Sequence, residues 1–369
     1  MDKNRKIMYQ NLDYLLIAAA AVCSIAGIII ISSAVNSMDG GLKYILVQSV
    51  GAAIGVIAMF LVASIDYEYY GDIAKYIYIV CAAMLVLVLF IGTGSSIGSK
   101  SWIRLGPVNI QPAEFVKLGF ILTFSKHVSS VKDTLNHPLT ILKLLLHMGI
   151  LLGLILLQPD FGTAMVFVCI FAGILFAAGI SYKYILGAAG LLAAVAPLAW
   201  FFFFDEYQKN RILVFLNPES APMNEGYHVV QSKLTIGSGQ IFGKGLFHGT
   251  QTQLDYLPAK HTDFIFAVIG EELGIIGCAV VIALLFTLIF RCIANSRLAK
   301  NEFGSYICIG VAIMFFAHVF ENIGMCIGLM PVTGIPLPFF SYGGSSIITN
   351  FIAVGLVLNV YMRRKLINF

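Results

Sequence analysis

The 369-residue chain is 59% hydrophobic and only 11% charged, with a net charge of +4 at neutral pH. A soluble globular domain carries about 25% charged residues, so this composition excludes an ordinary soluble protein. The basic residues stand in short clusters beside apolar runs, which gives no indication of a nucleic-acid partner. The chain also lacks the pattern G-x-x-x-x-G-K-[ST], which excludes a nucleotide-driven pump of that class.

Apolar runs long enough to cross a bilayer follow one another along the chain. A run of about 18 or more apolar residues is typical of a transmembrane helix. The sequence predicts ten such helices, at about 15–35, 44–64, 73–92, 112–128, 140–157, 161–180, 184–204, 264–290, 305–330 and 345–362. The predicted fold class is therefore an all-α polytopic membrane protein with about ten transmembrane helices.

The basic residues predict how these helices are oriented. Most of them fall in loops on the side of the two termini, whereas the short loops opposite hold only Lys43, Lys100 and Arg104. By the positive-inside rule, both termini are expected to be cytoplasmic. One large extracellular loop, 205–262, then separates helices seven and eight. No linker of low complexity divides the chain, so residues 1–369 are expected to form a single integral membrane domain.

Within this loop, the string GYHVVQSKLTIGSGQ places Tyr227, Val230 and Leu234 at helical spacing. The spacing predicts a short amphipathic helix. Two positions for it stay open: it lies on the outer leaflet of the membrane, or it packs on top of the helix bundle.

Polar residues near the predicted outer ends of the helices are the candidates for chemistry, because charges inside a membrane are costly and are functional candidates by default. Asp263 opens the eighth helix, and Asp160 lies between two helices in QPDFGT. Glu114 and Lys117 are three residues apart and can pair on one helix face. The other candidates on this side are Trp102, Arg104, Gln111, Arg211, Gln231, Lys233, Lys244 and His261. Together they predict an outward-facing cavity lined by acids and bases.

Each of these residues also has a structural interpretation. Asp263 and Asp160 could each stabilise the start of a helix. Glu114 and Lys117 could form a neutralised structural pair. Trp102 could anchor the protein at the membrane interface.

Three further polar residues stand apart from this group. Lys43 and Glu321 are isolated in the sequence, and no role is assigned to them. His318, one turn before Glu321, is expected to make a polar contact inside the bundle rather than to bind a metal.

Four long strings resemble the SEDS family of shape, elongation, division and sporulation proteins. They are SWIRLGPVNIQPAEFVKL, QPDFGTA, GSGQIFGKGLFHGTQTQLDYLPAKHTDFIFAVIGEELG and GLMPVTGIPLPFFSYGGSS. The similarity covers nearly the whole chain, including the ten-helix layout and the large outer loop. The strings GKGLFHGTQTQLDYLP and LPFFSYGGSS resemble the rod-shape members more than the division members.

The resemblance implies a peptidoglycan glycosyltransferase of the bacterial cytoplasmic membrane. Such an enzyme polymerises lipid II, an undecaprenyl-pyrophosphate disaccharide-pentapeptide, into glycan strands on the outer face of the membrane during cell elongation. The resemblance also implies a class B penicillin-binding protein, a transpeptidase, as the partner in the lipid bilayer. It places the family's catalytic aspartate at Asp263, in HTDF.

The chemistry of this reaction is compatible with the candidate residues. A sugar hydroxyl that attacks a glycosyl donor needs a general base, and the Asp263 carboxylate could supply it at the membrane surface. The leaving pyrophosphate needs positive charge, and the cationic candidates are Arg104, Lys117, Arg211 and Lys244. A divalent cation, Mg²⁺ or Mn²⁺, could assist, although no ligand cluster in the sequence demands one.

Two other functions stay open at this point. One is a flippase that moves lipid II across the membrane, and the other is a scaffold that recruits the penicillin-binding protein. A flippase should need a polar path through the whole bilayer, and the inner halves of the predicted helices look apolar. The long outer loop and the outward acids therefore favour the enzyme.

Overall fold

The computed structural model describes residues 12–94, 101–105, 108–202, 209, 213, 215 and 225–364. In chain order its elements are α1 (Tyr14–Ala34), α2 (Gly41–Ser64), α3 (Tyr67–Asp72), α4 (Ala74–Ile91), β1 (Ile103–Leu105), β2 (Val108–Ile110), α5 (Pro112–Ser130), a 3-10 turn (Lys132–Thr134), α6 (Pro138–Leu156), α7 (Phe161–Ala178), α8 (Tyr182–Phe202), α9 (Glu225–Ser238), α10 (Thr250–Gln253), α11 (Ile265–Leu298), α12 (Glu302–Cys326) and α13 (Gly344–Met362). The two short strands form an antiparallel hairpin.

The long helices correspond one to one with the predicted membrane spans. Within the described residues, every helix except α3, α9 and α10 contains at least 18 residues. Eight of these long helices are long and apolar enough to cross a membrane by length and composition. The prediction of an all-α, multi-pass membrane protein is confirmed.

Side chains at the junctions between loops and helices fix where several helices begin. Asp13 accepts a hydrogen bond from Leu16 N at 3.1 Å at the start of α1, and Asn301 accepts one from Gly304 N at 3.0 Å at the start of α12. Pro112 occupies the first position of α5, where its missing N–H would have no helical partner. These residues are the start signals that a helix needs.

The helices α6 and α7 run antiparallel, although only residues 157–160 separate them. Asn136, just before α6, accepts hydrogen bonds from Ser181 N at 2.7 Å and from the Tyr184 hydroxyl at 2.9 Å, just after α7. The start of one helix therefore lies beside the end of the other, and the chain crosses the bundle twice here. Because α6 and α7 are two separate crossings, the helices after α7 begin and end on the sides that the sequence predicts.

Polar contacts join the helix ends on the side of the bundle that carries residues 12–13 and 363–364, called here the termini side. Asp13 pairs with Arg291 at 2.8 Å, which connects α1 to the end of α11. Asn359 donates a hydrogen bond to Val62 O at 2.7 Å, which connects α13 to the end of α2. These contacts connect helix ends on this side, and the opposite side is called here the cavity side.

The helix α11 is interrupted at Gly274, where φ is +67°. A loop, 239–245, supplies the missing hydrogen bonds: Ile275 N donates to Gln240 O at 2.9 Å, and Lys244 N donates to Glu271 O at 3.0 Å. A Cβ atom at residue 274 would lie 2.4 Å from a carbonyl oxygen of this loop, so the close approach also requires glycine. The sequence predicted one unbroken span at 264–290, because a glycine in an apolar run does not by itself end a helix.

The short helix α9 confirms the helical spacing of Tyr227, Val230 and Leu234, which are all exposed on one face. Its opposite face packs on α11 and α12, and Ser232 Oγ donates a hydrogen bond to Cys326 O at 2.8 Å. This helix therefore packs on top of the bundle and turns an apolar face outward.

The sidedness of the bundle can be tested by labelling single cysteines at exposed positions. We expect the reagent to reach Asp39→Cys on the cavity side but not Arg297→Cys on the termini side, because the basic residues of the termini side should face the cytoplasm. Each variant would be made in a background without the seven native cysteines. An impermeant thiol reagent would then be applied to intact spheroplasts, with permeabilised cells as the control for reactivity at 297. The reverse labelling pattern would contradict the predicted orientation.

Candidate active site

A cavity of about 510 Å³ opens on the cavity side of the bundle. Its wall combines the start of α2, the β1–β2 hairpin, the junction between α6 and α7, the segment before α11 and the segment between α12 and α13. The predicted site residues that line it are Trp102, Arg104, Gln111, Asp160, His261 and Asp263. Arg211, another predicted site residue, lies outside the described part of the chain.

The backbone around Asp263 is fixed through three consecutive carbonyl groups. The carbonyls of residues 261–263 accept hydrogen bonds, in that order, from Tyr342 N at 2.9 Å, Ser341 Oγ at 2.7 Å and Asn322 Nδ2 at 2.9 Å. All three donors belong to α12 or to the segment between α12 and α13. Two parts of the chain that are distant in sequence therefore hold the acid in one position in the cavity wall.

The Asp263 carboxyl group is partly buried and borders the cavity. Burial raises its pKa to about 6, although a hydrogen bond from the Thr262 hydroxyl opposes this shift. The backbone of Gly334 approaches it from the facing wall, because a Cβ atom built at Gly334 would lie 3.7 Å from Asp263 Oδ2. A carboxyl group with this pKa is mostly ionised at neutral pH and accepts a proton more readily than an ordinary aspartate.

Asp160 has both a structural contact and a place in the cavity wall. Its Oδ1 atom accepts a hydrogen bond from Thr163 N at 3.0 Å, which confirms the predicted helix cap. Its Oδ2 atom accepts one from Gln111 Nε2 at 3.1 Å, and Gln111 N donates to Ser345 Oγ at 3.3 Å. Burial raises the pKa of Asp160, while the hydrogen bonds from Thr163 lower it. The junctions before α5, α7 and α13 thus meet at one hydrogen-bonded corner.

Two cations face this cavity among the described residues, Arg104 on β1 and Lys43 in the first turn of α2. No role was assigned to Lys43 in the sequence analysis, because it is isolated from other polar candidates. One signal could have found it: basic residues are rare in the short loops of this side, so each is a candidate for binding an anion. The fold brings Lys43 and Arg104 into the same cavity.

Three aromatic side chains form one wall of the cavity. The ring centroids of Tyr44 and His261 are 4.9 Å apart, those of Tyr44 and Tyr342 are 5.0 Å apart, and those of His261 and Tyr342 are 5.7 Å apart. Burial, and the charge of Lys260 beside it, lower the pKa of His261, so its ring is neutral at pH 7. This wall offers flat faces to a ligand without adding charge.

The first turn of α13 also reaches the cavity. Gly343, Gly344, Ser345 and Ser346 line it, and the N-cap position is a glycine that provides no side-chain hydrogen bond. The amide groups at the start of a helix have no helical acceptor and carry the positive end of the helix dipole. This turn adds to the positive potential that Lys43 and Arg104 create in the cavity.

Glu114 and Lys117 lie inside the bundle rather than in the cavity wall. They are 2% and 0% exposed, and Lys117 Nζ donates hydrogen bonds to Glu114 Oε1 and to His318 Nε2, both at 2.7 Å. The other Glu114 oxygen accepts a hydrogen bond from Thr349 at 3.3 Å. The predicted pairing is confirmed, and so is the polar contact of His318 inside the bundle. These contacts join α5 to α12 and α13.

The remaining predicted substrate-binding residues belong to the loop region and do not line the cavity. Lys244 pairs with Glu271 at 2.8 Å, Gln231 donates a hydrogen bond to Gln251, and Lys233 lies exposed on α9. The sequence placed them on the correct side of the bundle. It did not predict where on that side they lie, because the position of the loop depends on its contacts with the broken helix α11.

Residues 13–366 match a family of cell cycle proteins, that of FtsW, RodA and SpoVE. The chain belongs to this family. The peptidoglycan glycosyltransferase MrdB of Escherichia coli K12 is 39% identical over 322 residues, which cover 86% of this chain and 85% of that protein. The probable peptidoglycan glycosyltransferase FtsW of Trichlorobacter lovleyi is 36% identical over 361 residues, which cover 96% of this chain and 94% of that protein.

Solved structures of similar proteins share the fold of this FtsW/RodA/SpoVE family member. A chain from a study described as "Structural coordination of polymerization and crosslinking by a peptidoglycan synthase complex" has a TM-score of 0.82 and 30% identity, with 95% of this chain and 97% of that chain covered. The rod shape determining protein RodA of Thermus thermophilus has a TM-score of 0.71 and 28% identity, with 96% and 97% covered.

The buried pair gives a prediction about stability. We expect Lys117→Ala to lower the free energy of unfolding by about 3–5 kcal/mol, because it leaves the Glu114 charge buried without a cation. The charge-swapped double variant Glu114→Lys/Lys117→Glu should recover part of this loss. The measurement is thermal unfolding of the purified protein in detergent.

The matched control is Lys132→Ala, which breaks an ion pair with Glu302. Because these side chains are 46% and 42% exposed, we expect this change to lower the free energy by less than about 1 kcal/mol. Equal melting temperatures for the Lys117→Ala and Lys132→Ala proteins would show that burial of the first pair has no energetic consequence.

Proposed function

We propose that this protein is a peptidoglycan glycosyltransferase that polymerises lipid II on the outer face of the bacterial cytoplasmic membrane. The observation that carries the proposal is an acid of raised pKa, Asp263, in a cavity that also contains Lys43 and Arg104. Relatives that bear the name peptidoglycan glycosyltransferase, aligned over most of the chain, support it.

In this proposal the Asp263 carboxylate acts as the general base. It accepts the proton of a sugar hydroxyl on one substrate while the hydroxyl oxygen forms a bond to the anomeric carbon of the other. The bond from that carbon to the pyrophosphate breaks, and the pyrophosphate leaves with the electron pair. A cavity at the ends of the helices suits substrates whose lipid tails remain in the bilayer.

The leaving pyrophosphate needs positive charge placed before the reaction begins. Lys43, Arg104 and the first turn of α13 supply it from three parts of the cavity wall. The described residues contain no group of three or more His, Cys, Asp or Glu side chains that could hold a metal ion.

The other wall residues suit a sugar. Trp102, Tyr44 and Tyr342 offer aromatic faces, while Gln111 and Asp160 offer hydrogen-bonding groups already oriented by each other. Carbohydrate rings combine apolar faces with hydroxyl edges, so this combination fits them better than a uniformly charged wall.

A class B penicillin-binding protein is the proposed partner. One similar structure comes from a peptidoglycan synthase complex in which polymerization and crosslinking are coordinated, which supports a transpeptidase beside this chain. We also infer that residues 1–369 act as one membrane domain, since the described part of the large loop packs on α11 and α12. The physiological role that fits the chain's similarity to rod-shape proteins is cell elongation.

The decisive test is Asp263→Asn, assayed with purified protein and labelled lipid II. We expect a loss of about 10²–10⁴ in the rate of strand formation, because the amide cannot accept the proton. Membrane insertion and the melting temperature should stay near those of the wild type. Asp39→Asn, which removes an exposed acid on the same side of the bundle, is the control and should polymerise normally.

The same assay separates the other two functions. A flippase would move lipid II between the leaflets of vesicles without forming polymer, and a scaffold would do neither. Normal strand synthesis by a well-folded Asp263→Asn protein would show that Asp263 is not the general base.

The pKa of Asp263 predicts the acid limb of the pH profile. The base works only when ionised, so we expect kcat/KM for polymerisation, which reports the pKa of the free enzyme, to fall as the pH decreases, with half of its maximum near pH 6. Asp160→Asn is the matched control, because Asp160 is the other acid in the wall. In the pH profile of the activity that this variant retains, the midpoint of the acid limb should stay near pH 6. A rate that stays constant down to pH 4 would contradict the assignment.

A further inference from the structure

The amide group of Asn322 connects two walls of the cavity. Asn322 lies on α12, is 0% exposed, and donates one hydrogen bond to Asp263 O at 2.9 Å and another to Ile335 O at 2.8 Å. Asp263 and Ile335 both line the cavity, on segments that come from different parts of the chain. A single side chain thus joins these two segments.

We propose that Asn322 is a positioning residue for the base: its two N–H groups hold the Asp263 segment and the 333–336 segment together, and so keep the Asp263 carboxylate against the backbone of Gly334. This proposal rests on the proposed role of Asp263 as the base. Asn322 touches neither substrate nor the reacting atoms, and it acts only through Asp263.

The geometry gives this contact a direct effect on the carboxylate. Gly334 immediately precedes Ile335, has a φ of +73°, and approaches Asp263 Oδ2 so closely that a Cβ atom there would be in van der Waals contact. If the amide of Asn322 were lost, the Asp263 carbonyl would keep only the weaker contact with Cys326 Sγ, and the Ile335 carbonyl would lose the donor described here. Water would be drawn in, because buried carbonyl groups rarely stay without a partner. Water entering here would separate the two walls and hydrate the carboxylate.

The contact is supported by a weaker one on the next turn of the same helix. Cys326 Sγ lies 3.7 Å from Asp263 O, so α12 offers two donors to this carbonyl. The Cys326 carbonyl in turn accepts the hydrogen bond from Ser232 on α9. The base is therefore attached to a helix that is itself fixed by the large loop.

Other ionisable groups also face the cavity and would influence any pH profile. They are Lys43 and Tyr44 on α2, Arg104 on β1, Asp160 before α7, His261 before α11 and Tyr342 before α13, with buried Glu321 beside Asn322 on α12. A neutral substitution at position 322 changes the charge of none of them. A change in the profile of such a variant would therefore report on the position and hydration of Asp263.

The chain contains a matched control on the termini side. Asn359 is also 0% exposed, and its amide donates hydrogen bonds to the carbonyls of Val62 and Ile65, while its oxygen accepts one from Tyr67 N at 3.1 Å. It has the same donor chemistry as Asn322, since its amide donates to two backbone carbonyls, both of which lie here at the end of α2. It lies on the termini side of the bundle and does not line the cavity that contains Asp263.

The experiment compares Asn322→Ala with Asn359→Ala in the purified full-length protein, with labelled lipid II as the substrate and pH as the variable. For Asn322→Ala we expect kcat to fall about 10–100-fold, because small displacements of a catalytic group have effects of this size, with KM changed less than about 2-fold. The midpoint of the acid limb should move from near pH 6 toward the ordinary aspartate pKa of about 4. Asn359→Ala should lower the melting temperature but leave kcat and the midpoint unchanged.

A second variant keeps the test open if Asn322→Ala does not fold. Asn322→Ser retains one donor, which can reach only one of the two carbonyls, and should give a smaller shift of the midpoint in the same direction. An unchanged midpoint in a folded variant, or a kcat loss equal to that of Asn359→Ala, would overturn the positioning role.

A double variant distinguishes failure of this inference from failure of the proposed function. If Asn322 acts through the base, adding Asn322→Ala to Asp263→Asn should cause no further loss of rate. Full activity of Asp263→Asn alone would contradict the general-base mechanism itself. An inactive Asp263→Asn together with an unaffected Asn322→Ala would be consistent with that mechanism and would contradict only the role of Asn322.

Discussion

Three hydrogen bonds to the consecutive carbonyls of residues 261–263 are the constraint on which the cavity depends. A carboxylate that works at a membrane surface must be accessible to its substrate and yet be poorly hydrated, since full hydration would restore an ordinary pKa. A free loop cannot meet both conditions, because water would surround its side chains. Here the donors come from α12 and the segment after it, so the acid has a defined place in the wall.

Polar groups have different surroundings in different parts of the bundle. On the termini side, Asp13 pairs with Arg291 and Asn359 donates to Val62 O, which connects helix ends. On the cavity side, polar groups from several helix ends face the cavity. Inside the bundle, Lys117 is neutralised where it lies, by Glu114, since an unpaired charge there would be costly.

The break in α11 allows the large loop to form hydrogen bonds with this helix. Because the amides after Gly274 and the carbonyls before it bind the loop 239–245, the loop is attached directly to the helix that follows Asp263. Buried Glu271, just before the break, binds Lys244 and the amides of α10, which adds a charged contact to this attachment. Lys244, one of the predicted cations of the loop, thus strengthens this attachment and does not line the cavity.

Local composition is enough to predict most of the helices. Apolar runs of this length favour helices, so the ten long helices within the described residues could be predicted, eight of which are long and apolar enough to cross a membrane. Local composition does not show which polar residues meet, because this depends on packing: Lys43 lines the cavity, Lys244 pairs with Glu271, and Asn322 donates to two carbonyls distant in sequence. Hydropathy fixes the depth of a residue in the membrane, whereas its neighbours at that depth depend on how the helices pack around one another.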